Sequence, residues 1–186
     1  NANRGDIVAL LGENGAGKST FFLDINGVLK RQAGHIYYAG AEITDKNIHM
    51  LRKKVGIIFQ DADSQMIAPS VRAEISFGPM NLKLDRQEVR KRVENAISFM
   101  NLEGFEDRPP HCLSGGEKKR VSIADIIAME PEIYLFDEPT ASLDGKHAEQ
   151  LERILALLHA QGKSLSVRTH DIDFAYRWAE RVLVFR

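Results

Sequence analysis

An α/β fold is what the sequence predicts: a mostly parallel sheet flanked by helices, with a helical subdomain inserted near the middle. Three observations predict it. Short aliphatic runs at residues 7–11, 55–59, 133–136, 164–168 and 181–185 alternate with segments of helical character. A glycine-rich loop follows the first run and opens onto a helix, the usual way a strand hands over to a phosphate-binding turn. Between residues 61 and 112 the aliphatic strands stop and a charged, amphipathic texture takes over.

The elements follow in order. Residues 7–11 are aliphatic throughout, as in a strand buried on both faces. The loop at residues 12–19 leads into a helix reaching about Asn26. Residues 35–38 form a strand that enters a turn at Ala39-Gly40, and residues 55–59 form another, ending at Gln60. Val89, Val93, Ile97 and Met100 recur at helical spacing among charges, which makes residues 86–100 an amphipathic helix. Pro109-Pro110 closes that segment, because proline cannot continue a helix. Ser114 starts a helix running to about Met129. Strand 133–136, helix 146–160, strand 164–168, helix 172–179 and strand 181–185 complete the alternation. Phe174 and Trp178 sit at helical spacing, as core side chains do.

Composition narrows the function classes. The 186 residues, 44% of them hydrophobic, are enough to bury a core without disulfides, and the apolar content excludes disorder. One cysteine excludes a disulfide framework and a cysteine-based zinc site. A net charge of -1 exerts no overall pull on nucleic acid, so no nucleic-acid partner is expected. The longest apolar runs are five residues, far short of the ~18 of a membrane span. His35, His49, His111, His147 and His159 show no metal-ligand spacing.

Three motifs carry chemistry. Gly12-Glu13-Asn14-Gly15-Ala16-Gly17-Lys18-Ser19 fits the phosphate-loop pattern, and Thr20 adjoins it. Polyphosphate needs inward-facing backbone N–H groups, which such a loop supplies together with the positive end of the next helix. Lys18 would reach the β- and γ-phosphates and the Ser19 hydroxyl would bind Mg²⁺. Asp137-Glu138 ends a strand, where open α/β sheets bind ligands. Asp137 can hold hydrated Mg²⁺, and Glu138, pointing elsewhere, can polarise an attacking water. Leu113-Ser114-Gly115-Gly116-Glu117 places a hydroxyl and two glycines at a helix N-terminus, a second anion site, while Glu117 completes a capping box with Ser114. One nucleotide does not need two such loops from one chain. A second copy facing head to tail would place Ser114, Gly115 and Gly116 against its partner's γ-phosphate.

With Gln60, Ser142-Leu143-Asp144 and Thr169-His170-Asp171, these motifs stand in an order that resembles the ATP-binding-cassette (ABC) transporter ATPases over essentially the whole chain. The resemblance implies a P-loop NTPase fold of the ABC type. Residues 1–60 and 130–186 would form the RecA-like ATP-binding core, and residues 61–129 the helical subdomain with the signature loop. ATP would be the substrate and Mg²⁺ the cofactor. Gln60 would touch the metal and the attacking water, Asp144 would lie on the dimer interface, and His170 would contact the γ-phosphate. Glu138, His170, Gln60 and Lys18 would then be the catalytic set, and Ser19, Gln60 and Asp137 the metal set.

Finer features resemble the ATPases of energy-coupling-factor importers. These are Phe77-Gly78-Pro79-Met80-Asn81-Leu82, Arg108-Pro109-Pro110-His111, the run from Glu117 to Val121, and Ala179-Glu180-Arg181-Val182. The cobalt/nickel branch matches best; a vitamin importer or an impaired or non-transport cassette are the alternatives. The resemblance implies a peripheral protein on the cytoplasmic face of the membrane. Its partners would be a second ATPase subunit, identical or related, a transmembrane coupling protein that docks around residues 60–71, and a substrate-binding membrane component. Members of the family carry an adenine-stacking aromatic before the phosphate loop. Only residues 1–6 precede the first strand here, so N- and C-terminal parts are expected to be missing. Four residues depart from the pattern, Ser142 and Gly145 only modestly. Asp125 stands where a small residue is usual, and Arg168 where a small or apolar one is usual. An arginine at that strand end either disturbs His170 or adds a phosphate contact.

Overall fold

Ile7, Val8, Ala9 and Leu10 are all buried, without the alternation of a half-exposed strand. The cause is position: β1 (Ile7–Gly12) runs inside a five-stranded sheet with helices packed against it. The computed structural model describes residues 2–30, 33–141 and 145–186, which divide into two units, Asn1–Ile57 with Pro131–Arg186, and Ile58–Glu130.

The first unit contains α1 (Lys18–Asn26), β2 (Ile36–Tyr38), β3 (Ala41–Ile43), α2 (Ile48–Arg52) and most of β4 (Val55–Ile58). It then resumes with β5 (Ile133–Asp137), α6 (Gly145–Ala160), β6 (Ser164–Arg168), α7 (Ile172–Trp178) and β7 (Arg181–Phe185). The sheet order is β4-β5-β6-β1-β7, with β5–β6, β6–β1 and β1–β7 all parallel. Helices α1 and α7 pack on β1 and α6 on β6. Leu151, Ile154, Leu155 and Leu158 form the buried stripe of α6, one side of a helix at i, i+3, i+4 and i+7. On α7, Phe174 is buried and its ring stacks on Trp178, as their spacing predicts.

Strands β2 and β3 form a hairpin that closes at Ala39-Gly40, where the turn was expected. The sequence gives β3 and α2 little signal, at three and five residues each. Tyr38 at the hairpin donates its hydroxyl to Glu132, which also accepts from Lys54 Nζ at 2.5 Å. Burial and that carboxylate push the Tyr38 phenol up to about 12, and Lys54 first, then Tyr38, hold Glu132 below the usual carboxylate range.

The second unit is three helices in mutual contact: α3 (Val71–Asn81), α4 (Arg86–Phe99) and α5 (Gly115–Ala128). The unit spans residues 58–130. Helix α4 starts where the sequence places it, capped by Asp85, whose Oδ1 accepts from the Gln87 and Glu88 amides at 2.9 Å each. Helix α3 forms although it contains Gly78-Pro79, a pair that disfavours helix. Pro79 lies inside α3, where it forfeits one i→i−4 hydrogen bond, and Val71, Ile75 and Gly78 make the buried stripe that holds the helix.

Asp125 lies on α5 with its Oδ1 buried and without a hydrogen-bond partner. Burial, and then the charge of Glu74, push its carboxyl from 3.8 to about 7. The folded unit therefore keeps the proton over a range where the unfolded chain has released it. Stability falls as pH rises from about 4 through about 7. Asp125→Ala is expected to stabilise the protein by about 1–3 kcal/mol at pH 8 and by almost nothing near pH 4, read by urea unfolding at both pH values. An equal gain at both would refute the buried-charge account.

Candidate functional site

Parallel strands put their C-terminal ends on one sheet edge, and in the order β5-β6-β1 three motifs meet there. The phosphate loop leaves β1, Asp137 ends β5 and is followed by Glu138, and Thr169-His170 follows β6. The pairing register sets Arg168 level with Asp137 on one side and Leu10 on the other.

Gly12 begins the loop with φ 147°. A Cβ at that position would lie 2.4 Å from the Phe185 carbonyl oxygen on β7, so the close approach of two backbones dictates glycine. Gly12→Ala is expected to destabilise the protein by about 3 kcal/mol or more, read as loss of soluble protein or a lowered Tm. A variant that unfolds at the wild-type temperature would refute the tight approach. Gly17, with φ 88°, turns the chain into α1. Lys18 is buried, and its Nζ donates to the carbonyls of Gly12 (2.7 Å) and Glu13 (2.6 Å), closing the loop into a ring. Glu13, Asn14, Gly15 and Thr20 are exposed and Ala16 is half-buried, so the loop's outer face is open to a ligand.

The acidic pair divides its work as its side chains point. Asp137 Oδ1 accepts from Arg168 Nη1 at 2.6 Å. The same nitrogen donates to Ser19 Oγ at 2.5 Å. A hydroxyl and a carboxylate oxygen thus converge on one point, and such hard oxygen donors fit Mg²⁺. Glu138 takes the left-handed backbone conformation, φ 45°, which costs a non-glycine residue about 1–2 kcal/mol. Its amide donates to the Arg168 carbonyl at 2.9 Å, and its Oε2 accepts from the His170 amide at 3.3 Å. Oε1 is buried, accepts no hydrogen bond, and lies 3.0 Å from His170 Nε2 and 3.9 Å from Arg168 Nε. A buried carboxylate oxygen with spare accepting capacity beside a histidine suits a group that takes a proton.

Lys18, Ser19, Asp137, Glu138 and His170 are therefore brought together in the first unit. Gln60 lies in the second unit, past the end of β4, and its carbonyl accepts from the buried Lys119 Nζ at 3.3 Å. The signature loop is also in the second unit and builds a complete capping box. Ser114 Oγ accepts from the Glu117 amide (3.4 Å), and Glu117 Oε2 accepts from the Ser114 amide (2.7 Å). Those Ser114 hydrogen bonds hold Glu117 below the usual carboxylate range. Ser114 and Gly115 are exposed and Gly116 is half-buried. Asp144 lies outside the described residues. Arg168, which the sequence marks as a departure acting on His170 or on phosphate, pairs with Ser19 and Asp137, and no local signal foretold that pairing.

The ABC transporter family profile matches residues 1–141. The energy-coupling factor transporter ATP-binding protein EcfA of Methanococcus maripaludis is 46% identical over 183 residues, covering 97% of this chain and 66% of its own length. Among solved structures, cbiO1 of Clostridium perfringens, described as part of the ABC transporter complex cbiONQ, aligns with all of this chain and 75% of its own. The TM-score is 0.89 and the identity 42%. A dimeric ATP-binding cassette in a post-hydrolysis state with ADP and Pi covers all of this chain with 83% of its own, at TM-score 0.87 and 31% identity. The chain spans 46% to 66% of the length of such curated relatives.

Proposed function

Because the chain belongs to the ABC transporter family, we propose that it binds and hydrolyses ATP as the engine of an importer of the energy-coupling-factor type. The observation that carries this reading is the meeting of Lys18, Ser19, Asp137, Glu138 and His170 at the ends of β1, β5 and β6. The loop from Gly12 to Ser19, with Thr20, cradles the phosphates with its amides, and Lys18 exchanges its loop carbonyls for phosphate oxygens. Ser19 and Asp137 would hold Mg²⁺, which would neutralise phosphate charge there. Glu138 orients and deprotonates the attacking water, and His170, 3.0 Å from its carboxylate, contacts the γ-phosphate.

The second phosphate-facing group comes from a partner. Ser114, Gly115 and Gly116 of one subunit close on the nucleotide of another; the dimeric state of the related cassette supports this arrangement. Among the described residues no helix is long and apolar enough to cross a membrane. Coupling to transport is assigned to membrane partners, which the likeness to a part of the cbiONQ complex supports. In the second unit, Phe59, Gln65, Ile67, Glu74, Phe77 and Asp125 line a groove of about 420 Å³ with Ile67 and Phe77 exposed, and this is where a coupling protein docks. Cobalt or nickel is the cargo assigned, on the sequence resemblance.

The test is reconstitution of the full protein with its membrane partners in vesicles, with uptake of Co²⁺, Ni²⁺ and vitamins measured against ATP consumption. ATP-driven uptake of Co²⁺ or Ni²⁺ is expected. Vitamin uptake would replace the cargo but keep the engine, whereas absence of nucleotide hydrolysis in the assembled complex would overturn the engine itself.

A further inference from the structure

Arg168 stands at the end of β6 with its side chain only 14% exposed, against the two oxygens best suited to a divalent cation. One nitrogen, Nη1, donates to both, at 2.5 Å to Ser19 Oγ and 2.6 Å to Asp137 Oδ1. The fold forces this meeting. The parallel register sets Arg168 directly beside Asp137, and β6 lies between the strand that ends in Asp137 and the strand that leads to Ser19. The arginine brings a fixed positive charge, since a guanidinium does not lose its proton in a protein. It supplies what the Asp137 carboxylate needs when partly buried, a charge-assisted hydrogen bond.

We propose that Arg168 is a built-in cation that competes with Mg²⁺ for Ser19 and Asp137. Mg²⁺–oxygen bonds are about 2.0–2.1 Å long, shorter than either arginine hydrogen bond. A metal engaging the same two oxygens has to take the place that Nη1 fills. Two cations against one carboxylate also repel each other. The arginine is poised to leave rather than locked in. Its Nε is buried with no hydrogen-bond partner and stops 3.9 Å short of Glu138 Oε1. Only one of its nitrogens holds the pair. Two consequences follow. The protein needs more Mg²⁺ to form its metal–nucleotide complex than a site without the arginine. It also binds nucleotide better than such a site when no metal is available, because Arg168 already neutralises Asp137 beside the phosphate loop.

This inference rests on the ATP-binding reading above, and one set of titrations separates the two. The full protein and its Arg168→Met and Arg168→Lys variants are titrated with ATP in EDTA, and with Mg²⁺ at fixed ATP, binding being read calorimetrically. Thermal melts check folding. Arg168→Met keeps length and removes charge; its Mg²⁺ midpoint is expected about tenfold below wild type and its metal-free ATP affinity about tenfold weaker. Arg168→Lys keeps charge but cannot present the planar fork, and is expected between the two. Equal midpoints and equal metal-free affinities in all three proteins would overturn the competition while leaving ATP binding intact. Failure of wild type to bind ATP at any Mg²⁺ concentration would overturn both. If Arg168→Met does not fold, the lysine variant decides: a lowered midpoint with weakened metal-free binding supports the competition, and wild-type values refute it.

Discussion

Glu138→Gln is expected to lower ATP turnover by about 10²–10⁴-fold while leaving ATP affinity within a few-fold of wild type. The amide keeps the shape of the carboxylate and can still accept from the His170 amide, now 3.3 Å from Oε2. It cannot take a proton from water. The loss corresponds to about 3–5 kcal/mol in the barrier, all of it in the chemical step. Single-turnover kinetics with a separate binding titration measures both parts. Because the step after closure is blocked, the variant also accumulates as a closed dimer with ATP. Hydrolysis within tenfold of wild type would remove Glu138 from the base role and leave His170, its neighbour at 3.0 Å, as the group to examine.

Ser114→Arg is expected to abolish hydrolysis in the partner's site rather than in its own. The substitution loses the hydroxyl that accepts from the Glu117 amide, and with that cap about 1 kcal/mol of helix stability. That is too little to unfold α5, whose Val121, Ile123 and Ala124 are buried. The larger effect is a bulky cation where a phosphate-facing loop must close. Lys18→Ala removes the other half of the site. Each variant alone is expected to be near background. Their mixture regains up to about a quarter of wild-type activity, since only the pairing that joins the two intact halves in one site can work. A mixture no more active than either parent would mean that Ser114 and Lys18 serve the same site within one chain, or that the chains do not pair.

Residues whose chemistry demands a type and a spacing were legible from the sequence. The loop from Gly12 to Ser19 needs its glycines and lysine in fixed order, and it lies between β1 and α1 as expected. Asp137-Glu138 and Thr169-His170 follow aliphatic runs, which already marks them as strand ends. What escaped was non-local. Arg168 could be seen as unusual, but its pairing with Ser19 and Asp137 depends on β6 lying between β5 and β1, which no local pattern encodes. Helix α3 escaped for the opposite reason: Gly78-Pro79 is a strong local breaker signal overridden by packing, with Val71 and Ile75 fully buried. The capping box at Ser114 was readable because it is local, and it forms beside the very glycines assigned to the partner's phosphate.

The left-handed backbone at Glu138 also shapes what selection can do with this protein. Asparagine tolerates that conformation far better than glutamate, and a shorter amide would leave no carboxylate oxygen stranded beside Arg168 and His170. The residue that activates water is thus among the least comfortable in the chain. A library screened only for heat resistance will drift toward replacements at this position, and its most durable survivors will be the ones that no longer turn over.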